Sequence, residues 1–393
     1  MSVADLALQR NKYKHLTDEE WRWFLQQVEG KERTADKLPT FAAIEDWWYP
    51  VRLSCEQCSS ELAARYKASL VSGEKMADLT GGYGVDTYFL SEQFKHTEYV
   101  EQNAELCRIA EHNFSLLSPQ GARLFQKSAI SIKNCSAEEF LQTAGQYDFI
   151  FLDPARRDSH GGKVFRLEDC TPNVVELLPT LLSHGKRIML KLSPMLDLTQ
   201  AIKELSVFSI QWSVYVVAIK NEVKELLLLS GGSGRITAID LDKKDQAFVF
   251  TKEEESKADF KFLIPRERLF QVSNFKFIYE PSAAILKAGA YKLIAERFGL
   301  LKLDVNTHLY ASETLIENFP GRVWQIKDEG MKGERMKGEQ ANVLCRNYPL
   351  TPDQLKKKLH LRDGGTAFVI GCRVAGKPTL FYAERIKDIH AEG

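Results

Sequence analysis

Residues 75–94 run from a short apolar strand through a glycine-rich turn into a helix. Met76-Ala77-Asp78-Leu79 reads as the strand, Thr80-Gly81-Gly82-Tyr83-Gly84 as the turn, and 85–94 as the helix. Glycine in such a turn lets the chain bend sharply and lets a ligand approach bare backbone. A sheet that opens this way needs crossover connections to lay later strands beside the first, which points to a parallel, doubly wound α/β architecture. The texture that follows agrees. Strands are predicted at 97–100, 149–152 and 187–192, with helices at 104–114 and 174–182 between them. Val214 to Ala218 and Leu226 to Leu229 predict an antiparallel pair at the end of the sheet.

The segments on either side differ. Residues 1–70 read as helical, with Thr17-Asp18-Glu19-Glu20 as a capping box and a third helix predicted over 54–70. After Gly231-Gly232-Ser233-Gly234 the rhythm changes. Two strands around a charged turn are expected at 236–250, one helix at 281–298, and a strand, loop, strand, helix, strand, strand tail from 321. The near repeat Met331-Lys332-Gly333-Glu334 and Met336-Lys337-Gly338-Glu339 has the composition of an inserted loop. The expected organisation is an N-terminal helical region (1–70), a Rossmann-like α/β domain (71–235), an α+β connecting domain (236–320) and a small α+β module (321–393).

Bulk properties exclude several classes. The 393 residues carry 53 basic and 53 acidic side chains, so the chain as a whole is not a basic nucleic-acid binder, although a local basic face is compatible. No apolar run reaches a membrane span, and residues 1–10 lack the pattern of a signal peptide. Seven scattered cysteines fit a reducing cytoplasm better than a disulfide framework, and the isolated Cys55-x-x-Cys58 reads as a thiol pair with no metal.

Candidate site residues cluster at the carboxyl ends of the predicted strands, where such sheets bind ligands. Asp78, Thr80, Gly82 and Gly84 line the turn. Glu101 ends the second strand, where a carboxylate can accept hydrogen bonds from two ribose hydroxyls. Ser136, within Asn134-Cys135-Ser136-Ala137, falls where an adenine packs in this fold. The third glycine of a dinucleotide fingerprint is replaced by Thr87, which weakens a nicotinamide reading. Asp153-Pro154-Ala155-Arg156-Arg157-Asp158 closes an apolar strand. Pro154 stiffens that turn, and Asp153 can accept a proton or a hydrogen bond. Arg156 and Arg157 can hold phosphates, or form a solvated pair beside Asp158.

Asp78-Leu79-Thr80-Gly81-Gly82, Asp153-Pro154-Ala155-Arg156-Arg157-Asp158, Lys191-Leu192-Ser193-Pro194-Met195 and Asn221-Glu222-Val223-Lys224-Glu225-Leu226 together resemble a bacterial group of class I methyltransferases with a THUMP-like C-terminal domain. Glu56-Gln57-Cys58-Ser59-Ser60-Glu61, Tyr279-Glu280-Pro281 and His308-Leu309-Tyr310 extend the resemblance over nearly the whole chain from Pro50. It implies S-adenosylmethionine as cofactor, with Asp153 also near it. Because THUMP domains elsewhere bind RNA, it implies an RNA substrate. Asp-Pro-Ala-Arg lacks the aromatic of amino-methylating loops, and no cysteine stands at Leu192-Ser193-Pro194 for carbon-5 chemistry; Cys170 reads as structural. Ribose 2′-O-methylation resembles a Lys-Asp-Lys-Glu set, which Lys67, Asp153, Lys191 and Glu225 reproduce in order. Methylation of a base nitrogen or of the ribose 2′-oxygen stays open, and so does a non-catalytic RNA-binding protein that keeps the fold. Lys356-Lys357-Lys358 with Arg346, Arg362 and Arg373 reads either as an RNA-facing strip or as a solvated face.

Overall fold

The computed structural model describes residues 3–117, 129–156, 166–262, 275–329 and 338–386. The Arg157-Asp158 end of the loop and the near repeat through Lys337 lie outside them. The chain divides into two compact units, Met1–Ser213 with Leu226–Ser233, and Val214–Glu225 with Gly234–Gly393.

The first unit begins with helices α1 (Val3–Ala7), α2 (Asp18–Thr34), α3 (Pro39–Ala42), α4 (Arg52–Gln57) and α5 (Glu61–Ala68). The Thr17/Glu20 capping box opens α2 as expected. The helix expected over 54–70 is instead two. Cys58 is extended, and the Ser60 side chain caps a fresh start by accepting from Ala63 N. The sheet follows as β1 (Lys75–Asp78), α6 (Val85–Ser91), β2 (His96–Val100), α7 (Ala104–Leu116), β3 (Ala129–Lys133), α8 (Ala137–Thr143), β4 (Tyr147–Leu152), a short ribbon β5 (Ala155–Arg156) and β6 (Cys170–Thr171), α9 (Val174–His184), β7 (Gly185–Leu192) and α10 (Leu198–Leu205). β7, β4, β1, β2 and β3 lie side by side in that order, all parallel. Leu226–Leu229 runs antiparallel to β7, the reversal expected of that run, although it is not the sheet's last strand. Strands buried on both faces explain the continuous apolar runs, with Phe149, Ile150, Phe151 and Leu152 at most 1% exposed.

The N-terminal helices are part of this unit, and their docking is specific. Phe41 stacks on Trp47 at 4.3 Å and on Phe89 of α6 at 5.8 Å. The buried Trp47 indole donates to Tyr83 Oη at 2.9 Å. Asn113 of α7, itself buried, accepts from Trp48 N and donates to Trp48 O, both at 2.8 Å. Gly30 is required because a Cβ there would sit 2.2 Å from that of Tyr49.

In the second unit, β8 (Trp212–Ile219) and β9 (Glu222–Ser230) each contribute part of their length. From Val214, β8 pairs in parallel with β10 (Ile236–Asp240), which pairs antiparallel with β11 (Phe248–Phe250). The charged stretch after it is helix α11 (Lys252–Lys257), followed by β12 (Lys261–Phe262). β13 (Phe277–Pro281) leads to α12 (Ala283–Ala288) and α13 (Leu293–Arg297). These replace the single helix expected over 281–298, because Gly289 turns left-handed at φ 83° and ends the first. β14 (Leu301–Asp304), β15 (Thr307–Ser312), β16 (Gly321–Glu329), β17 (Asn342–Arg346), α14 (Pro352–Leu359), β18 (Ala367–Val374) and β19 (Lys377–Arg385) complete an eight-stranded sheet ordered β12-β14-β15-β13-β16-β19-β18-β17.

Tyr83→Phe leaves the buried Trp47 N–H without its acceptor. The expected cost is about 1–3 kcal/mol, measured by urea denaturation of the full-length protein. An unchanged midpoint would mean the indole finds another partner.

Candidate functional site

The site assembles where β1, β2, β4 and β7 end. Asp78, the last residue of β1, is 1% exposed. Its Oδ1 accepts from Thr80 N at 3.0 Å and its Oδ2 from Thr87 Oγ1 at 2.6 Å. Thr87, which breaks the dinucleotide fingerprint, is therefore the hydroxyl that fixes this carboxyl group. Burial raises the Asp78 pKa to about 7. The Thr87 and Thr80 hydrogen bonds pull it down, and the nearby Asp86 and Asp153 push it up.

The turn is shaped from behind. The Tyr99 ring leaves no room for a side chain at Gly81, where a Cβ would lie 2.2 Å from its Cε2, and its hydroxyl donates to Gly82 O at 2.6 Å. Gly84 has φ 83° and faces Phe114. Over Gly82 (φ 55°) the space is open, with nothing nearer a Cβ than Thr80 O at 3.7 Å. Glu101, just past β2, spends one lone pair of each oxygen on backbone, accepting from Gly82 N (2.9 Å) and Asn103 N (2.8 Å). Each oxygen keeps a further lone pair for a hydroxyl. Ser136 caps α8 in a capping box with Glu139. Asn134 donates to the Glu101 and Gln102 carbonyls, tying its segment to the end of β2.

The Asp-Pro loop is tied to the turn directly, because Asp153 N donates to Thr80 Oγ1 at 2.7 Å. Beyond Pro154, Ala155 pairs with Thr171 and Arg156 with Cys170 in the β5–β6 ribbon. The Arg156 side chain lies outside the described residues. Lys191 Nζ is 2.5 Å from Asp153 Oδ2 and 3.3 Å from Asp86 Oδ2. Asp86 also accepts from Ser59 Oγ at 2.8 Å and lies 3.2 Å from Lys67 Nζ. That last approach is an off-line ion pair that leaves Asp86 Oδ1 without a well-directed hydrogen bond. Burial opposes the Asp86 charge, but Lys67 and Lys191 outweigh it and hold the carboxyl below its usual range. From Lys67 through Asp86 and Lys191 to Asp153, side-chain exposure rises from 0 through 10 and 11 to 37%. Asp153 alone of the four presents a substantial open surface.

Asp86, Ser59 and the role of Thr87 escaped sequence reasoning. Lys67, a member of the expected Lys-Asp-Lys-Glu set, pairs with Asp86. Glu225 is buried and belongs to the second unit. In the proposed basic strip, Arg346 pairs with the buried Glu280, which Arg322 also holds, and Lys356 pairs with Asp363. Lys357 and Lys358 are exposed. Burial pushes the Cys55 thiol up to about 12, and both Cys55 and Cys58 donate to nearby carbonyls. Among the described residues, no group of three or more His, Cys, Asp and Glu side chains is arranged to hold a metal, and no helix is long and apolar enough to cross a membrane.

A doubly wound sheet with a glycine turn, a ribose-ready acid and an Asp-Pro loop defines a class I transferase site. Residues 277–320 match a ferredoxin-like domain and 321–385 a THUMP domain-like module. A solved protein from Porphyromonas gingivalis W83, described as a methyltransferase, is 32% identical, with a TM-score of 0.81 over 95% of this chain and 92% of its own. An uncharacterized S-adenosylmethionine-dependent methyltransferase of Mycobacterium tuberculosis is 22% identical over 367 residues, covering 90% of this chain and 92% of its own. The chain belongs to the bacterial class I S-adenosylmethionine-dependent methyltransferases that carry a THUMP-like C-terminal domain.

Asp78 makes a signed prediction. Its folded pKa of about 7 lies above the ordinary 3.8. The fold therefore takes up a proton, and this contribution to stability is complete below about pH 4 and lost as pH rises through 7. Relative to Asp78→Asn, the ligand-free wild type should lose stability from pH 5 to pH 8 in urea titrations. A constant difference would mean that Asp78 is already ionised at pH 5.

Proposed function

We propose that this chain transfers a methyl group from S-adenosylmethionine to a nitrogen of an RNA base, with Asp153 as the group that meets the acceptor. The observation that carries this reading is the hydrogen bond from Asp153 N to Thr80 Oγ1, together with the partial exposure of the Asp153 carboxylate. The cofactor turn and the acceptor-facing acid are thereby one rigid assembly, and placement of reacting groups is a large part of catalysis.

The residues fit the cofactor. Glu101 has lone pairs for both ribose hydroxyls, Gly82 leaves bare backbone open to a ligand, and Asp78 would face its cationic methionyl end. Ser136 and its neighbours would border the adenine. When bound, S-adenosylmethionine supplies an electrophilic methyl group. Asp153 orients the acceptor nitrogen and takes up its proton. Pro154 keeps the loop stiff. Lys191 holds Asp153, and Arg156 would supply a guanidinium for a substrate phosphate.

The ribose reading asks a lysine to act as base. Lys67 is completely buried and the Lys191 side chain is 11% exposed, whereas 37% of the Asp153 side chain is exposed, so an acceptor reaches the carboxylate first. A carboxylate acceptor, with Lys191 left charged, suits the geometry better. The THUMP-like module supports RNA as the substrate class.

Asp153→Ala should lower methyl transfer on the order of 100-fold or more, with cofactor affinity by calorimetry within a few-fold of wild type. Equal loss of both would make Asp153 a cofactor ligand instead. Mass spectrometry of RNA nucleosides from cells with and without the gene tests the substrate. A methylated base that disappears with the gene supports the reading, and a lost 2′-O-methyl nucleoside would reverse the choice of atom.

A further inference from the structure

Lys191 reaches from a fixed place to a freer one. At one end, Asp86 stands on a fully buried helix and is held by Ser59 Oγ at 2.8 Å and Lys67 Nζ at 3.2 Å. Lys67 in turn donates to Ser59 Oγ at 3.0 Å and is itself completely buried. At the other end, Asp153 sits past the end of β4 with over a third of its side chain exposed. A lysine side chain has four rotatable bonds and three donors, so one ion pair at its tip does not fix it. A second, immobile partner does.

We infer that Asp86, locked by Lys67 and Ser59, is a positioning residue that aims Lys191 at Asp153. The N-terminal helices then enter the catalytic apparatus through Ser59 and Lys67. This rests on the reading of Asp153 as the acceptor-facing group. Neither Asp86 nor Lys67 touches substrate. They act through Lys191, whose ammonium meets Asp86 from α6 and Asp153 from the β4 loop. The Cys58 thiol, raised by burial and lowered by Lys37 and Lys191, is a further titratable neighbour. Misplacing such a group by about 1 Å costs on the order of 100-fold in rate without loss of binding.

Asp86→Asn alone takes a carboxylate away from two buried lysines, which destabilises the fold itself. The charge-balanced double variant Lys67→Met/Asp86→Asn removes one charge of each sign and keeps the Lys191–Asp153 pair. Full-length wild type, Asp86→Glu, the double variant and Asp153→Ala are assayed with radiolabelled S-adenosylmethionine. Acceptors are total RNA and total protein from cells lacking the gene, and melting temperature is followed in parallel. The double variant is expected to lose roughly 10- to 100-fold in kcat, with KM for cofactor and acceptor within about twofold and its melting transition kept. Asp86→Glu should recover part of the rate. A double variant that turns over at the wild-type rate, or one whose KM and kcat fail together with its melting temperature, overturns the inference. Asp153→Ala at the wild-type rate overturns the underlying reading of Asp153 instead. Incorporation by wild type into protein alone overturns the RNA substrate but leaves the variant comparison intact, and incorporation into neither overturns both proposals.

Discussion

The ion chain from Lys67 through Asp86 and Lys191 to Asp153 is the constraint around which the first unit is arranged. Charges this deep are costly unless each is matched, because desolvation is repaid only by close partners and satisfied hydrogen bonds. Two lysines and two aspartates meet here as alternating charges, and Ser59 adds a hydrogen bond to Asp86 Oδ2. The chain also crosses elements that are far apart in sequence, since α5, α6, the β4 loop and β7 each bring one member. None of these elements can shift without leaving a buried charge unmatched. The ends of the central strands are therefore fixed by electrostatics as well as by the apolar contacts of the sheet.

A second set of hydrogen bonds joins this chain to the glycine turn. Thr80 is the hinge between them. Its backbone N–H donates to Asp78, and its hydroxyl accepts from Asp153 N. Asp78 is held on its other oxygen by Thr87. The turn, the strand-end acid and the Asp-Pro loop therefore share their orienting groups, as expected of a site built on rigid elements and not on free loops.

Much of this was legible in the sequence. The order of strands and helices follows from uninterrupted apolar runs such as Phe149 to Leu152, and the reversed strand beside β7 from the paired runs before and after Lys224. The turn, Glu101 and Asp153 were found because glycine and acid at strand ends are unusual combinations. The charge partners were not. An aspartate in the first turn of a helix reads as a favourable dipole contact, and Lys67 entered only as a member of a set with Asp153, Lys191 and Glu225. Only the packing of α5 on α6 makes Asp86 and Lys67 a pair. Thr87 read as a missing glycine because its hydroxyl bond to Asp78 spans nine residues. The two helix breaks, at Cys58 and Gly289, were hidden by apolar periodicity that continues on both sides of each.

The Tyr99 ring behind Gly81 and its hydroxyl on Gly82 make the turn a casting whose mould is the neighbouring strand. Positions 81 and 99 are thus free to vary only as a pair. A larger residue at 81 demands a smaller one at 99, which would also surrender the hydroxyl that steadies Gly82. In relatives that keep the tyrosine, a glycine should stand opposite it, and where the tyrosine is lost the turn should wander in both sequence and shape.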